Sequence, residues 1–278
     1  MLRFVSGRHR FVRVVVALAL TMVGMGSAQA IYQNGGFEQN NFSGWTIGGG
    51  TNPALSGVAP FTGANVQISA GAPGPASIVG AVADARAPLL VLPRVGTYTA
   101  KINDEATGAL LTTLKQTDTV TAADIDPTDH LPHLRFAFAP VLDDPAHSPQ
   151  QQPYFYVVLR NVADNSVLFE QFAYSGQAGV TFLSGAGSWK YLQFQNVDAI
   201  LPANAVGQQV ELTVIAADCS LGGHGGYVYV DGFGSAPVGG GGGAPTTPTV
   251  VPALDRSTLV LLMVLMAGIG ALAWRRSA

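Results

Sequence analysis

The chain has 278 residues, of which 48% are hydrophobic and 11% charged, and its 14 basic and 17 acidic side chains give a net charge of −3. It contains no basic stripe that could bind phosphates, so nucleic acid is excluded as an expected partner. The single cysteine, Cys219, excludes an internal disulfide.

The first thirty residues have the features of a secretory signal. Four arginines lie within residues 1–13 and precede an apolar run from Val14 to Val23. The sequence Ser-Ala-Gln-Ala at residues 27–30 fits cleavage before Ile31. The apolar run is shorter than the roughly 20 residues that span a bilayer. The sequence therefore predicts a cleaved signal peptide over residues 1–30 and an exported mature chain.

Residues 31–236 have the period of β-strands. Apolar and polar side chains alternate in short runs separated by Gly, Pro, Asn and Asp, and helical spacing is absent between the two terminal segments. This pattern predicts an all-β domain, a single antiparallel β-sandwich of the jelly-roll kind. Residues 48–74 are predicted as loop. The predicted strands are 97–102, 110–120, 134–138, 154–159, 167–174, 189–195, 209–216 and 226–233.

The composition changes abruptly at Pro237. Residues 237–256 are rich in Gly, Pro and Thr, which predicts an extended linker. An uncharged apolar run from Thr258 to Trp274 follows, and Arg275 and Arg276 come directly after it. Positive charge beside an apolar helix stays on the cytoplasmic side of a membrane. The sequence therefore predicts one C-terminal transmembrane helix within residues 257–278, with the bulk of the chain facing outward from that membrane.

These C-terminal features resemble a family of bacterial protein-sorting tails, those whose signature begins Ile-Pro-Thr-Leu. In this chain Val and Ala replace Ile and Thr of that signature. The resemblance implies recognition by a membrane-embedded sorting enzyme, so the expected location is the inner membrane, or the cell surface after the tail is processed. The residues that carry the resemblance are Val251, Pro252, Ala253, Leu254, Arg275 and Arg276.

The two ends of the predicted sandwich carry a candidate calcium site. An early turn-rich segment contains Glu38, and the last strand ends in Val230-Asp231. This arrangement resembles galactose-binding-like sandwiches, which include many carbohydrate-binding modules. The resemblance implies that Glu38 and Asp231 hold a structural Ca²⁺, an ion that takes about six to eight oxygen ligands. The equally weighted alternative is that Glu38 caps a turn and Asp231 binds backbone amides.

The segment before the last strand contains Cys219 and His224, the latter between two pairs of glycines. A histidine can bind a metal or carry a proton, but the sequence places no second histidine or cysteine cluster beside it. We therefore expect His224 to support the loop by binding backbone carbonyls. An acidic loop with Asp143, Asp144 and His147 lacks the spacing of calcium ligands and is interpreted as solvated surface.

Aromatic side chains are the usual means by which a β-sandwich binds sugar. The two tryptophans are expected in the core, and the last strand should point Val228 and Val230 inward and its tyrosines outward, because its side chains alternate. The candidate aromatics are Trp45, Trp189, Tyr154, Tyr156, Tyr227 and Tyr229.

The exported part, residues 31–256, has 8 basic and 17 acidic residues and therefore a charge of −9. No nucleophile elbow and no singled-out pair of carboxylates is present, so an enzyme is not expected. The sequence predicts an exported, membrane-tethered cell-surface protein with a non-catalytic β-sandwich that binds surface polysaccharide. The alternative is a structural or adhesive surface or matrix protein without a sugar ligand.

Overall fold

The structure, a computed structural model, describes residues 31–238. The predicted signal peptide, most of the linker, the sorting motif and the predicted anchor lie outside the described residues. The strands are β1 (Thr46–Thr51), β2 (Ser69–Ala70), β3 (Ala76–Val79), β4 (Thr99–Ile102), β5 (Leu110–Thr119), β6 (His133–Asp143), β7 (Tyr154–Asn161), β8 (Val167–Tyr174), β9 (Leu183–Ser184), β10 (Trp189–Tyr191), β11 (Gln195–Ile200), β12 (Gln209–Ala217) and β13 (Gly226–Gly234). Short 3-10 turns are described at Gly63–Asn65, Ala122–Asp124, Pro149–Gln151 and Ala203–Ala205.

Two antiparallel sheets form a β-sandwich, as predicted. The first has six strands in the order β2-β1-β5-β12-β7-β8. The second has seven strands, with β3-β4-β13-β6 in order, and β10 and β11 pair with successive halves of β6. The chain crosses repeatedly between the sheets, as it does from β5 to β6 and from β6 to β7, which is a connection pattern that jelly rolls use.

Two regions differ from the predicted strands. Residues 48–74 were predicted as loop, but Gly48 lies inside β1, which pairs with β5 over six residues. Glycine has low strand propensity, so the sequence signal there is weak although the backbone pairs normally. The predicted strand 189–195 is divided into β10 and the start of β11, because one extra residue interrupts the pairing with β6: Tyr191 is opposite Val141, and Gln195 is opposite Phe138.

The main core lies between the sheets. Leu114 and Val214 come from the six-stranded sheet, and Phe138 and Val228 come from the seven-stranded sheet; all four are fully buried. Val230 also belongs to this core. The expectation that the valines of the last strand point inward is therefore confirmed.

Aromatic residues of the N-terminal segment close one end of this core. Tyr32, Phe37 and Trp45 surround Phe233 of β13, with ring centroids 4.9 to 6.5 Å from that ring. The indole Nε1 of Trp45 donates to the carbonyl of Asn34 at 3.3 Å. The first residues of the domain thus pack against its last strand.

Each sheet also has an apolar cluster on its outer face, beneath a long connection. On the seven-stranded sheet, Tyr227 and Tyr229 form a buried cluster with Leu90 and Leu92. These two leucines belong to the connection formed by residues 84–98, which we call the 84–98 segment. The tyrosines do face away from the main core, but they are only 1% and 3% exposed. This segment therefore turns the outer face of the sheet into a second buried layer.

On the six-stranded sheet, residues 52–66 form the corresponding cover, the 52–66 segment. Leu55 and Phe61 from this segment cluster with Tyr154 and Tyr156 of β7. The segment reaches only part of the sheet, so beyond Tyr156 and the buried Val158 the outer face is formed by polar side chains.

Candidate functional site

The predicted calcium ligands both bind the 84–98 segment. The carboxylate of Glu38 accepts hydrogen bonds from the amides of Thr97 at 2.9 Å and Tyr98 at 3.2 Å. Oδ2 of Asp231 accepts from the amides of Arg94 and Val95, each at 3.0 Å. Asp231 thus makes the amide bonds of the alternative interpretation, and Glu38, expected there to cap a turn, binds amides of this distant segment.

One carboxylate oxygen of these two predicted calcium ligands has no hydrogen-bond partner among the described residues. Oδ1 of Asp231 is buried and unpaired among the described residues. Burial raises the pKa of Asp231 to about 8, the amide bonds oppose this, and the negative charge of Glu38 adds to it. A cation would fit the unpaired oxygen and offset the buried charge, with Asp231 and Glu38 as the residues that would hold it. Among the described residues, no third acidic, histidine or cysteine side chain joins these two in a metal-binding group.

The sequence analysis missed the residue that holds the other end of the 84–98 segment. Asp84, only 6% exposed, accepts hydrogen bonds from the hydroxyls of Tyr227 at 2.8 Å and Tyr229 at 2.6 Å. It also accepts from the amides of Arg86 and Ala87. Burial, followed by the negative charge and hydrogen bond of Asp84, raises the pKa of Tyr227 well above its usual value. Both hydroxyls therefore act as donors, and the two candidate sugar-binding tyrosines are structural.

The other candidate aromatics are buried as well. Trp45 and Trp189 are 7% and 6% exposed, which confirms their expected place in apolar clusters. Tyr154 is fully buried, and the 52–66 segment covers Tyr156. Among residues 31–238, every aromatic side chain is buried or half-buried. The surface of the described domain therefore offers half-buried ring edges rather than a flat aromatic platform.

The outer face of the six-stranded sheet has an open polar half that the sequence analysis did not predict. We call it the polar face and define it by Lys115, Arg160, Glu170, Glu211 and Thr213. Lys115 pairs with Thr213 across β5 and β12, and Glu211 pairs with Arg160 across β12 and β7. These residues share one side of the sheet because side chains alternate along each strand. Their alternation with core residues could have identified them in the sequence.

Two sets of contacts order the polar face. Lys115 Nζ lies 3.4 Å from Glu211 Oε1, and both side chains are substantially exposed, at 43% and 35%. The hydroxyl of Tyr156 donates to Glu170 Oε2 at 2.9 Å, and Arg160 lies 3.4 Å from the same hydroxyl. Burial first, and then the bond to Glu170, raise the pKa of Tyr156 to about 12, so it stays protonated. The face thus presents cations and carboxylates side by side, above the buried hydroxyls of Tyr156 and Thr213.

The 52–66 segment forms the border of this face. Gly63 lies directly on the ring of Tyr156, so closely that a Cβ at residue 63 would be 2.1 Å from the ring carbon Cε2. Phe172 of the edge strand β8 is half-buried and is the cross-strand partner of Tyr156. A ligand on the polar face would therefore lie beside an apolar ring and against the wall of the segment.

A second polar group lies on the outer face of the seven-stranded sheet, at its other end. His133 binds Asp198 through Nδ1 at 2.6 Å and Asp129 through Nε2 at 2.9 Å. Arg135 binds Asp126 at 2.6 Å and Asp198 at 2.9 Å. A cavity of about 250 Å³ lies beside Arg135, where the chain leaves the sandwich. Because the guanidinium is already bound by two carboxylates, this group stabilises the fold.

Cys219 and His224 differ from their expected arrangement. The Cys219 sulfur lies 3.6 Å from His224 Nδ1, and His147 from the acidic loop joins them. The sequence places no second histidine close to His224, and the fold brings His147 there, because β6 ends beside the turn that precedes β13. Asp143 and Asp144 are not part of this group of ligand atoms.

The sorting motif at residues 251–254 and the arginines at positions 275 and 276 lie outside the described residues. Within residues 31–238, the structure has no helix that is both long and apolar enough to cross a membrane.

Comparison with known proteins gives likenesses only at the level of three-dimensional structure. No protein-family model matches the chain, and no curated protein matches it in sequence. The CBM27-1 module of Caldicellulosiruptor saccharolyticus in complex with mannohexaose is similar at 12% identity and a TM-score of 0.37, over 72% of this chain and 93% of the module. The K2 cleaved adhesin domain of Lys-gingipain is similar at 14% identity and a TM-score of 0.33, over 75% of this chain and 97% of that domain.

A third similar structure is the enzymatically active domain of tailspike protein 4 from bacteriophage CBA120. The identity is 9%, the TM-score is 0.36, and 74% of this chain is covered. This chain spans only 21% of the tailspike chain. All three TM-scores lie below 0.5, so these similarities assign no ligand, activity or binding site to this chain.

Proposed function

We propose that this protein is an exported, membrane-tethered and non-catalytic carbohydrate-binding protein, and that the polar face binds the polysaccharide. The observation that carries the proposal is the open half of the six-stranded sheet, where the charged side chains of Lys115, Glu170 and Glu211 reach solvent beside the 52–66 segment. The corresponding apolar area of the seven-stranded sheet is closed by the 84–98 segment. The polar face is therefore the sheet surface that a ligand can reach.

The chemistry of the polar face suits a ligand rich in hydroxyl groups. Lys115 and Arg160 can donate hydrogen bonds to sugar oxygens, and Glu170 and Glu211 can accept from sugar hydroxyls. Hydrogen bonds to charged groups contribute more than neutral ones, about 1.5–3 kcal/mol each. The half-buried ring of Phe172 adds an apolar edge. No catalytic step is proposed, because both carboxylates are held by donors on neighbouring strands.

Binding of the purified full-length chain to a glycan array, followed by affinity electrophoresis in the polysaccharides that retain it, tests this proposal. We expect Glu211→Gln and Arg160→Met to weaken retention at least about tenfold, which corresponds to about 1.4 kcal/mol. Asp164→Asn, in the exposed turn between β7 and β8, is the matched control and should bind normally. Thermal unfolding should be nearly unchanged in all three variants.

Two results would contradict different parts of the proposal. If no glycan retains the protein, with or without calcium, the carbohydrate-binding function is wrong. If a glycan retains it and both charge variants bind as tightly as the control, the function stands and the polar face is the wrong surface.

We also propose that Asp231 and Glu38 hold a structural Ca²⁺, an idea supported by the unpaired buried Oδ1 of Asp231. Calcium at about a hundredfold excess over its Kd stabilises a fold by about 2.7 kcal/mol, or about 5–10 °C in Tm for a domain of this size. Chelation should remove this gain, and Asp231→Asn should be insensitive to calcium. Equal Tm values of the unmodified protein with calcium and with chelator would overturn the proposal.

The tether is proposed from the C-terminal residues alone. The motif at 251–254, the apolar run and the final arginines support insertion into the inner membrane and recognition by a sorting enzyme. Deletion of residues 257–278 should release the protein from the membrane fraction, and replacement of Pro252 by Ala should block processing while anchoring persists. Retention of the truncated protein in the membrane fraction would contradict the tether.

The structural or adhesive alternative is favoured by one observation. Every aromatic side chain of residues 31–238 is buried or half-buried, whereas a sugar-stacking surface uses exposed aromatic faces. Under this alternative the protein binds no glycan, and the exported sandwich binds a surface or matrix component through polar contacts.

A further inference from the structure

Three side chains with affinity for transition metals meet at one end of the sandwich, away from the polar face. Cys219 and His224 lie in the connection between β12 and β13, and His147 lies in the loop that follows β6. One ligand atom from each residue lies within 4.8 Å of the ligand atoms of the other two. It is the one group of this kind among the described residues, and the proposed carbohydrate-binding function does not use it.

The distances in the group suit a tetrahedral metal site. Zinc binds cysteine sulfur at about 2.3 Å and histidine nitrogen at about 2.0–2.1 Å, so tetrahedral sulfur and nitrogen ligands lie about 3.5 Å apart. The Cys219 sulfur lies 3.6 Å from His224 Nδ1. The rings of His147 and His224 have centroids 5.0 Å apart and planes inclined at 75°. The ligand atom of His147 lies within 4.8 Å of the other two, so a shift of this side chain toward them would complete three ligands around one ion.

The backbone holds these residues in position. The amide of Cys219 donates to the carbonyl of His224 at 2.9 Å, and Gly222, with φ +75°, donates to the carbonyl of Cys219 at 3.0 Å. Only a residue free of a Cβ adopts that backbone conformation at low cost, which explains a glycine in the turn. The turn that carries two of the ligands is thus closed by its own hydrogen bonds.

The loop that carries the third ligand is tied to the same turn. The amide of Ser220 donates to the carbonyl of Gln151, and the amide of Asp143 donates to the carbonyl of Gly225. These bonds lie on either side of His147 in the chain. The relative position of the three ligands is therefore fixed by the fold.

One of the three proposed ligands, His147, has a buried nitrogen that makes no hydrogen bond in the fold. Nε2 of His147 is buried and has no hydrogen-bond partner among the described residues. A buried polar atom without a partner costs about 1–3 kcal/mol. Cys219 is fully buried while both histidines are half-buried, so an ion could enter from the histidine side and keep a water molecule as its fourth ligand.

We propose that His147, Cys219 and His224 form a binding site for a thiophilic transition-metal ion of the Zn²⁺ class. Zinc binds both cysteine thiolates and histidine imidazoles, and one thiolate with two imidazoles is also the trigonal ligand set of blue-copper sites. On binding, the metal–sulfur bond replaces the S–H bond, and the released proton goes to the buffer. No electron is transferred. A hydrogen bond between Cys219 and His224 alone would explain two of the three residues, but it would not account for His147.

Cobalt is the probe for this site, since Co²⁺ takes zinc geometry and absorbs light when bound by thiolate. The metal-free, reduced full-length protein should bind one Co²⁺ per chain with a thiolate-to-cobalt charge-transfer band, and one equivalent of Zn²⁺ should displace it. Cys219→Ser should remove the band. His147→Gln and His224→Gln should weaken Co²⁺ binding at least about tenfold, a loss of about 1.4 kcal/mol. The matched control is His130→Gln, an exposed histidine elsewhere, which should bind Co²⁺ normally.

The variants also separate this proposal from its alternatives. Because Cys219 is buried, its variant is interpreted together with His147→Gln, whose side chain is half-buried, and with circular dichroism of each metal-free protein. A charge-transfer band that survives His147→Gln with unchanged affinity would overturn the three-ligand site. The absence of any cobalt–thiolate band from the folded, reduced protein would overturn the metal site altogether.

Discussion

The two sheets of the sandwich differ in how their outer faces are closed. The 84–98 segment covers the seven-stranded sheet and is bound at both ends by carboxylates, Asp84 at its start and Asp231 with Glu38 at its end. The 52–66 segment covers only half of the six-stranded sheet, where Leu55 and Phe61 pack on it and the side-chain amide of Asn52 donates to the carbonyl of Asp218 at 2.7 Å. Both covers therefore combine apolar packing with buried hydrogen bonds, but of the two only the 84–98 segment is bound by carboxylate side chains of the described residues.

This difference separates structural carboxylates from those available to a ligand. A buried carboxylate that binds several donors cannot be removed without leaving those donors unsatisfied. The exposed charges of the polar face contribute little to folding, since exposed ion pairs are worth about 0–1 kcal/mol. Exposed charges can therefore be placed to bind a ligand at almost no cost in stability. For this reason we propose the polar face of the six-stranded sheet as the binding surface.

The largest expected effect is at Asp84. Asp84→Ala should lower the free energy of unfolding by about 3–5 kcal/mol, because two buried tyrosine hydroxyls and two amides lose a charged acceptor. Urea denaturation measures the change. Limited proteolysis should then cut the 84–98 segment before any other part of the domain.

Two further variants test whether this loss belongs to the tyrosines. Adding Tyr227→Phe and Tyr229→Phe to the Asp84→Ala protein should recover part of the stability, because unsatisfied donors are then removed. Asp164→Ala, in an exposed turn, should cost less than about 1 kcal/mol. If Asp84→Ala costs no more than this control, the segment is not held by the carboxylate.

A smaller effect is expected where the other cover meets the sheet. In Gly63→Ala the added methyl group would overlap the ring of Tyr156, only 2.1 Å from Cε2. The 52–66 segment must therefore move, which should lower the free energy of unfolding by about 1–3 kcal/mol. Hydrogen exchange should show faster opening of residues 52–66 while the 84–98 segment is unaffected. Gly71→Ala is the control, since its Cβ would lie no closer than 3.5 Å to another atom. Equal stability of the two variants would show that the cover is not packed on Tyr156.

The inner and outer faces of β13 also show how much of the structure could be predicted from the sequence. The alternation of side chains predicts the long strands and the antiparallel sandwich, and it places Val228 and Val230 in the core correctly. It does not show that the opposite face of the same strand is buried, because the cover comes from a distant loop whose Asp84 has no distinctive neighbours. Tyr227 and Tyr229 therefore look like ligand-binding residues until their shared acceptor is known.

The group of His147, Cys219 and His224, the proposed metal site, was missed for a related reason. Cys219 and His224 are close in sequence, but His147 reaches them only because β6 and β13 are paired. Strand order in a sandwich is set by packing between sheets, and a single sequence does not determine it. The resemblance to galactose-binding-like sandwiches implied that Glu38 and Asp231 lie near each other, and both carboxylates bind the 84–98 segment. The sequence could not distinguish amide binding from metal binding.

The smallest expected effect is a pH dependence of the stability, which comes from His133 on the outer face of the seven-stranded sheet. Burial alone would lower the pKa of His133, and the charge of Arg135 adds to that, but hydrogen bonds to Asp129 and Asp198 outweigh both and raise it. A raised pKa means that the folded state binds the proton more tightly than the unfolded state does. The stabilisation is therefore fully present below about pH 6.5, the unfolded value, and is lost as pH rises through the higher folded value.

His133→Gln should thus lower stability by about 1 kcal/mol at acidic pH, a discounted figure because both partner carboxylates are partly exposed. The difference between wild type and variant, measured by urea denaturation from about pH 5.5 to about pH 8.5, should shrink as pH rises. His130→Gln, an exposed histidine in the preceding loop, should give a difference near zero throughout. If the stability difference between wild type and variant grows with pH, His133 is neutral in the folded protein. Its contacts with Asp129 and Asp198 would then be uncharged hydrogen bonds in place of ion pairs.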